Sequence, residues 1–198
     1  NQVAFLFQVV GKGTIWLSQR QIGDELDILG PLGKGFSVEP SSRNLLLVAG
    51  GIGIAPLVFL AQCASPQRPV TLIHGASTAR KLYPFSSLPG SIQFIPVTED
   101  GTMGKKGLVT DILPDFLGWA DQIYACGPVD MCKSMSETLA TSKQQGPFKC
   151  QVSLEVRLGC GIGACYGCTI PTKRGPKKVC CDGPVFDLDD ILWQEVRI

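Results

Sequence analysis

The chain has 198 residues and a formal net charge of +1, and only 18% of its residues are charged. This length allows one or two small domains with a hydrophobic core. The sequence has no stripe of basic residues, which argues against nucleic-acid binding. The single histidine, His74, argues against a hydrolase triad and against a histidine-rich metal site. Because His74 ends an apolar run, we expect it to be structural.

Residues 1–40 are predicted to be β structure. A first strand pattern covers residues 3–10, and Thr14 is expected to be the N-cap of a short helix that ends near Arg20. Residues 25–29 alternate like a half-exposed strand, and a Gly- and Pro-rich loop follows. Since the chain starts at Asn1, directly in a strand pattern, we expect a polypeptide whose N-terminal part is missing.

Residues 41–148 are predicted to form an α/β domain. Strand and helix patterns alternate there, which is typical of a doubly wound parallel sheet with right-handed crossovers. The predicted strands are residues 44–49, 70–74, 92–97 and 122–125, and the predicted helices are residues 56–63, 109–116 and 130–142.

Residues 45–64 carry no charge and match a membrane span in length. Three glycines and Pro56 interrupt this stretch, however, and would break a spanning helix. The segment is therefore predicted to be a buried strand, a glycine-rich turn and a helix, and no membrane association is expected.

The glycine-rich turn is a candidate nucleotide site. Gly50, Gly51 and Gly53 let a backbone approach a pyrophosphate, and the following helix start supplies N–H donors. Pro56 replaces the third glycine of the G-x-G-x-x-G pattern, although proline suits a first helical turn. A plain tight turn remains the alternative interpretation.

A second turn follows the last predicted strand of this domain. Cys126, Gly127 and Pro128 lie where ligands of parallel sheets bind, beyond the carboxyl ends of strands. The alternative is a capped turn with a buried thiol.

A basic turn after the second predicted strand could contact the 2′-phosphate of NADP, so the choice between NAD and NADP stays open. The residues of this turn are Ser77, Arg80 and Lys81.

Residues 149–198 form a cysteine module, entered by a predicted strand at 149–154. Its cysteines follow the plant-type spacing for four thiolates around a [2Fe–2S] cluster; they are Cys160, Cys165 and Cys168, with Cys180 or Cys181 as the fourth. Glycines between the first three cysteines allow the loop backbone to wrap closely around a cluster. A four-cysteine zinc site and disulfides are the alternatives. Without a recognisable signal peptide, a reducing cytoplasmic compartment is favoured over disulfides.

Together these motifs resemble the ferredoxin–NADP reductase superfamily. Within it, nearly the whole chain is similar to the electron-transfer subunits of class 1B dihydroorotate dehydrogenase, a bacterial and archaeal enzyme. The resemblance rests on residues 10–14, 29–36, 50–56 and 126–128, and most strongly on residues 154–155, 159–168, 178–180 and 182–186.

The resemblance implies an FAD-binding β-barrel, an NAD-binding domain and a [2Fe–2S] module, in that order. The expected FAD contacts are Leu6, Phe7, Gln8, Gly13 and Thr14. The turn at 50–56 would hold the NAD pyrophosphate, with the turn at 126–128 near the nicotinamide. The family's last cysteine follows a Lys-Val pair, which favours Cys180 over Cys181. The Arg-Pro-x-Ser flavin motif of the family would precede Asn1, so residues 1–40 correspond to the C-terminal part of the barrel.

Electron counting gives the expected mechanism. NADH donates two electrons as a hydride, such a cluster takes one, and a flavin between them accepts two and releases them singly. In the family, the partner is an FMN-containing catalytic subunit, expected here in a heterotetramer, which converts dihydroorotate to orotate in pyrimidine biosynthesis. Two alternatives remain. One is a related flavin/iron–sulfur reductase subunit of a sulfide dehydrogenase, transhydrogenase or hydrogenase. The other is a non-enzymatic four-cysteine zinc or redox-sensing module.

Overall fold

The computed structural model describes residues 3–64, 66–142 and 149–196. A seven-stranded sheet in the order β4-β3-β2-β1-β5-β6-β9 organises them. Its strands are β1 Leu45–Gly50, β2 Val70–Ala76, β3 Ile92–Thr98, β4 Lys105–Lys106, β5 Gln122–Cys126, β6 Lys149–Ser153 and β9 Val185–Asp187. Neighbouring strands from β4 to β6 are parallel, and β9 pairs antiparallel with β6. The predicted doubly wound parallel sheet is confirmed.

Helices cover both faces of this sheet. Those on the faces are α2 Ile54–Ala64, α3 Val109–Ile112, α4 Pro114–Leu117 and α5 Val129–Thr141. Helix α1 Lys12–Ser18, which has no buried residue, lies in the N-terminal segment, and α6 Val179–Asp182 lies in the cysteine module. Strand β1 is buried on both sides, because Leu45 and Leu47 pack with α2 while Leu46 and Val48 pack with the cluster that contains α3 and α5. A continuous apolar strand is what such a two-sided core requires.

The uncharged stretch at 45–64 consists of β1, a 3₁₀ turn at Gly51–Gly53 and α2, as predicted. None of the helices that the structure describes is long and apolar enough to cross a membrane. The predicted helix at 109–116 is instead two short helices, α3 and α4, that meet at Pro114. Proline has no backbone N–H to continue the first helix, which explains the break.

The N-terminal segment differs from its predicted β structure. Residues 3–44, all described, contain no strand, only an isolated bridge between Lys34 and Pro184. The patterns at 3–10 and 25–29 have no neighbouring strand to pair with, so they do not form a ladder. Helix α1 starts at Lys12 behind Gly11, and Thr14 is its third residue, not its N-cap. The hydroxyl of Thr14 accepts hydrogen bonds from the N–H groups of Val10 and Gly11 at 2.9 and 3.1 Å.

The cysteine module attaches to the far edge of the sheet. The predicted strand at 149–154 is β6, and β9 extends the sheet beyond it. Between β6 and β9 lie a cysteine-containing loop, the two-stranded sheet β7 Thr169–Ile170 with β8 Lys177–Lys178, and helix α6. Backbone hydrogen bonds tie this module to the core, so its loops are held at a defined place beside the parallel sheet.

Candidate functional site

A cleft of about 580 Å³ opens at the carboxyl ends of the parallel strands. Six of the residues predicted to contact FAD or NAD line it: Leu6, Phe7, Gln8, Gly50, Gly51 and Pro128. Leu6, Phe7 and Gln8 come from the N-terminal segment, and the other three come from the turns after β1 and β5. The structure thus brings predicted flavin contacts and predicted nucleotide contacts to one cavity.

The turns after β1 and β5 touch each other through glycine. A side chain on Gly53 would lie 2.3 Å from the carbonyl oxygen of Cys126, and one on Gly127 would lie 2.9 Å from the Cα of Gly50. Gly51 has φ +53°, a left-handed conformation that glycine adopts without strain. The sequence therefore needs glycine here to bring two strand ends into contact and form one wall of the cleft.

The remaining predicted contacts do not line the cleft. Gly13 and Thr14 belong to the first turn of α1, and Pro56 lies within α2. Gly53, Cys126 and Gly127 are absent from the lining and instead form the contact between the two turns. Burial raises the pKa of the Cys126 thiol to about 11, so it is protonated at neutral pH.

His74 forms hydrogen bonds to two residues that line the cleft. The backbone N–H of Tyr83 donates to its Nδ1 at 3.3 Å, so its Nε2–H donates to the carbonyl of Gly51 at 3.0 Å. Burial lowers the pKa of His74, which keeps the ring neutral. Both partners line the cleft. This is consistent with the structural role expected for the single histidine.

Several lining residues were missed by the sequence reasoning. They follow β2 and β3 or begin α5, and include Tyr83, Glu99, Asp130 and Met131. The available signal was their position just beyond predicted parallel strands, where ligands of such sheets bind. Of the three residues in the basic turn, Ser77 and Lys81 line the cleft.

The loop at 159–168 wraps its cysteines with backbone N–H groups. The N–H of Cys165 points at the Sγ of Cys160 at 3.4 Å, and the N–H of Gly167 points at the Sγ of Cys165 at 3.5 Å. Gly161, Gly163 and Tyr166 have φ values of +73°, +79° and +59°. The N–H groups, first that of Cys165, lower the pKa of Cys160 to about 6, which favours a thiolate.

The other two predicted ligands are buried, Cys168 at the end of this loop and Cys180 in α6. Cys168 and Cys180 are 5% and 4% exposed, whereas Cys181 is exposed, with its Sγ 3.6 Å from the Sγ of Cys180. The N–H of Val179 donates to the carbonyl of Cys168 at 3.1 Å, which joins the two segments. All nine cysteines are free thiols.

The donor set suits an iron–sulfur cluster. Four cysteine side chains are available on the loop and on α6, and N–H groups point at two of the sulfurs, which suits sulfur ligands of a cluster. Within residues 3–64, 66–142 and 149–196, no three His, Cys, Asp or Glu side chains are grouped as ligands of one metal ion.

A loop of the N-terminal segment contacts the cysteine module directly. The N–H of Lys34 donates to the carbonyl of Gly183, and the N–H of Val185 donates to the carbonyl of Lys34 at 3.4 Å. A side chain on Gly161 would meet Leu29 and Leu32 at 3.2 Å each. The N-terminal segment therefore lines the cleft with Leu6, Phe7 and Gln8 and, further along, contacts the cysteine loop.

Two family models match the chain in this same arrangement. Residues 47–137 match the oxidoreductase NAD-binding domain, which includes the cleft turns after β1 and β5. Residues 155–192 match the iron–sulfur cluster binding domain of dihydroorotate dehydrogenase B, which includes all four predicted ligands.

Relatives match almost the entire chain. A dihydroorotate dehydrogenase B (NAD(+)), electron transfer subunit of Caldanaerobacter subterraneus is 38% identical over 98% of this chain and 76% of its own length. The protein of the same name from Desulforamulus reducens is 38% identical over 97% and 75%. A solved structure of an NADH-dependent reduced ferredoxin-NADP oxidoreductase, described for flavin-based electron bifurcation, superimposes with a TM-score of 0.82 at 31% identity, over 96% of this chain and 68% of that one.

Proposed function

Because the chain belongs to the family of dihydroorotate dehydrogenase B electron-transfer subunits, we propose that it passes electrons between NAD(H), FAD and a [2Fe–2S] cluster. The other end of this path is a catalytic partner subunit that carries FMN and interconverts dihydroorotate and orotate. The observation that carries the proposal is the presence of an NAD-binding domain and a cluster-binding domain on one chain, which is 38% identical to a named relative over 98% of this chain.

The domain organisation is part of the proposal. Residues 1–40 correspond to the C-terminal part of an FAD-binding barrel, residues 41–148 bind NAD, and residues 149–198 bind the cluster. The two matched family models fall inside the second and third of these ranges. We further propose a heterotetramer with the partner and a cytoplasmic location, which nine free thiols suit.

Each group has proposed binding residues. For FAD they are Leu6, Phe7, Gln8, Gly13 and Thr14; for NAD they are Gly50, Gly51, Gly53, Pro56, Cys126, Gly127 and Pro128; for the cluster they are Cys160, Cys165, Cys168 and Cys180. When bound by these residues, FAD would supply two-electron acceptance and one-electron release, and the cluster would supply one-electron transfer.

The chain's own residues do the positioning. The side chains of Leu6 and Phe7 form an apolar part of the cleft that excludes water from a bound ring system. The backbones of Gly50 and Gly51 lie open to a ligand and precede helix α2, whose start attracts phosphate. The N–H groups of Cys165 and Gly167 donate to the sulfurs of Cys160 and Cys165 and stabilise negative charge on them.

The proposal is tested with the partner present. The chain is expected to co-purify with an FMN-containing dihydroorotate dehydrogenase subunit, and the pair is expected to reduce orotate with NADH. The variant Cys165→Ser should lose orotate reduction to background, because one cluster ligand is gone, while NADH-to-dye activity of the flavin largely survives. Absorption and EPR spectra, with iron, sulfide and flavin analysis, give the cofactor content.

Two outcomes would count against this function. A pair that forms but does not reduce orotate excludes the pyrimidine reaction. A colourless protein with one zinc per chain after anaerobic purification excludes electron transfer through a cluster and supports the zinc or redox-sensing alternative.

A second candidate function has support from one structural comparison. The NADH-dependent reduced ferredoxin-NADP oxidoreductase shares the fold over 96% of the chain at 31% identity. A related flavin/iron–sulfur reductase subunit with a different acceptor would therefore have the same architecture. Co-purification with a partner that lacks FMN, and NADH oxidation coupled to that partner's acceptor, would favour this candidate.

The nucleotide preference gives a further prediction. Ser77 and Lys81 line the cleft, which suits a 2′-phosphate, but the carboxylate of Glu99 lines it as well and repels that group. We expect Glu99→Gln to raise the ratio of NADPH to NADH efficiency (kcat/KM) about tenfold, equivalent to about 1.4 kcal/mol. Dye-reduction kinetics with both nucleotides measure it.

The matched control for this prediction is Glu137→Gln. Glu137 is an exposed carboxylate on α5 that does not line the cleft, so its replacement removes the same charge without touching the nucleotide. An equal change of preference in both variants would show that net charge is responsible, and that Glu99 has no special position.

A further inference from the structure

Lys178 connects the two segments that carry the cysteines. It is the last residue of β8 and directly precedes α6, which contains Cys180. Its ammonium donates to the carbonyl of Gly163 at 3.0 Å and lies 4.7 Å from the centre of the Tyr166 ring. Both contacts belong to the loop that carries the other three predicted ligands.

The backbone of Lys178 is held firmly. Its N–H donates to the Asp182 carboxylate at 2.8 Å, and its strand pairs with β7 at Thr169, next to Cys168. The following residue, Val179, donates its N–H to the carbonyl of Cys168 at 3.1 Å. The half-buried lysine side chain therefore starts from a fixed point.

The Lys178 ammonium contacts two loop residues whose backbone has positive φ values. Gly163 and Tyr166 have positive φ values, and for a tyrosine such a conformation is strained. A cation over an aromatic ring and a charge-assisted hydrogen bond to a carbonyl both stabilise this conformation. Gly163 is also closely packed, since a side chain there would lie 2.6 Å from the Sγ of Cys181 and 3.4 Å from the Lys178 nitrogen.

We infer that Lys178 is a positioning residue of the iron–sulfur site, an inference that rests on the proposed function. Its ammonium fastens the cysteine loop to the segment of the fourth cysteine, and its charge favours the reduced state of the loaded site. Four thiolates make that site negative, and one added electron makes it more so. The Lys178 side chain is half-buried and its ammonium is held by a hydrogen bond. A cation fixed in this way stabilises the added charge more than a fully solvated surface cation does. The Asp182 carboxylate carries an opposing charge and accepts a hydrogen bond from the backbone N–H of Lys178 at 2.8 Å.

The chain offers a matched control in Lys177. It precedes Lys178 in the same two-residue strand, and successive side chains of a strand point to opposite faces. Replacing either lysine with methionine removes one positive charge and keeps most of the apolar stem. A difference between the two variants therefore reports the position of the charge rather than the net charge.

The test is an EPR-monitored redox titration of the anaerobically reconstituted protein, with dithionite as reductant. Lys178→Met is expected to lower the midpoint potential of the cluster, Lys178→Arg to restore most of it, and Lys177→Met to change it much less. A Lys178→Met potential equal to that of the wild type would overturn the inference, as would an equal shift in both methionine variants.

A second measurement tests the inference even if the Lys178→Met protein does not take up a cluster. Hydrogen–deuterium exchange over residues 159–168 of the cluster-free protein should be faster in Lys178→Met than in the wild type and Lys177→Met. Unchanged exchange would show that the lysine does not hold the loop and would overturn the inference. A wild-type protein that takes up no iron and sulfide would instead refute the proposed function, so the two failures are distinguishable.

Discussion

Replacing Cys180 with serine is expected to remove the iron–sulfur cluster, whereas Cys181→Ser is expected to leave it in place. Cys180 is 4% exposed and packs in the same buried cluster as Cys168, while Cys181 is exposed. The wild type should bind about two iron and two sulfide per chain, as a [2Fe–2S] cluster contains, and Cys180→Ser less than about a tenth of that. Iron and sulfide analysis with anaerobic absorption spectra measures both variants.

The two sulfurs lie only 3.6 Å apart, so the experiment needs two controls. Cys63→Ser removes an exposed thiol on α2, outside the cysteine module, and should retain the full cluster. If Cys180→Ser still binds iron, the double variant of Cys180 and Cys181 shows whether the neighbour has replaced it. Loss of the cluster in Cys181→Ser with retention in Cys180→Ser would reverse the ligand assignment.

The parallel sheet was predictable because its signals are local. Residues 45–49 form an unbroken apolar run, and only a strand covered on both faces buries all of them. Helix α2 and helix α5 follow such strands at the spacing of βα units, so their existence and approximate bounds could be read from the pattern. Proline at position 114 was visible too, but its effect as a break between α3 and α4 was not anticipated.

The N-terminal segment shows where local pattern is insufficient. Alternation at 25–29 indicates a strand only if another strand lies beside it, and pairing is a non-local property. Between residues 3 and 44 the described chain has no such neighbour, and its apolar side chains, such as Val10 and Ile28, are exposed. Likewise, Thr14 has the right side chain for an N-cap, but Gly11 takes that position.

In the candidate site, too, local features could be predicted from the sequence, whereas features that depend on the fold could not. The spacing of Cys160, Cys165 and Cys168 is contained in nine residues and could be read directly. Spacing alone did not separate Cys180 from Cys181, because adjacent residues satisfy the same interval. In the structure Cys180 is buried and Cys181 is exposed, and Cys180 as the fourth ligand stays a prediction. Glu99 reaches the cleft only because β3 ends beside β2, which is a consequence of the strand order.

Replacing Gly53 with alanine is expected to weaken NADH binding at the proposed nucleotide site while leaving the cysteine module intact. The added methyl carbon would lie 2.3 Å from the carbonyl oxygen of Cys126 and 2.7 Å from the backbone nitrogen of Gly127. Both contacts are backbone atoms, which cannot rotate away, so the turns after β1 and β5 must separate. Overpacking of this kind costs about 1–3 kcal/mol of stability. We expect the affinity for NADH to fall at least about tenfold, since a tenfold loss needs only about 1.4 kcal/mol. Fluorescence titration with NADH and thermal unfolding measure the two effects.

The control is Gly118→Ala, at the end of α4. Gly118 has φ −70° and ψ −15°, and a side chain there meets no atom within 4 Å, so alanine fits without strain. Iron and sulfide content should equal that of the wild type in both variants, because residue 53 lies in the turn after β1 and the cysteines lie beyond β6. An NADH affinity and a Tm unchanged in Gly53→Ala would mean that the two strand ends need not touch, and the proposed nucleotide wall would have to be abandoned. Loss of the cluster together with NADH binding would instead show that the contact between these turns supports the whole chain.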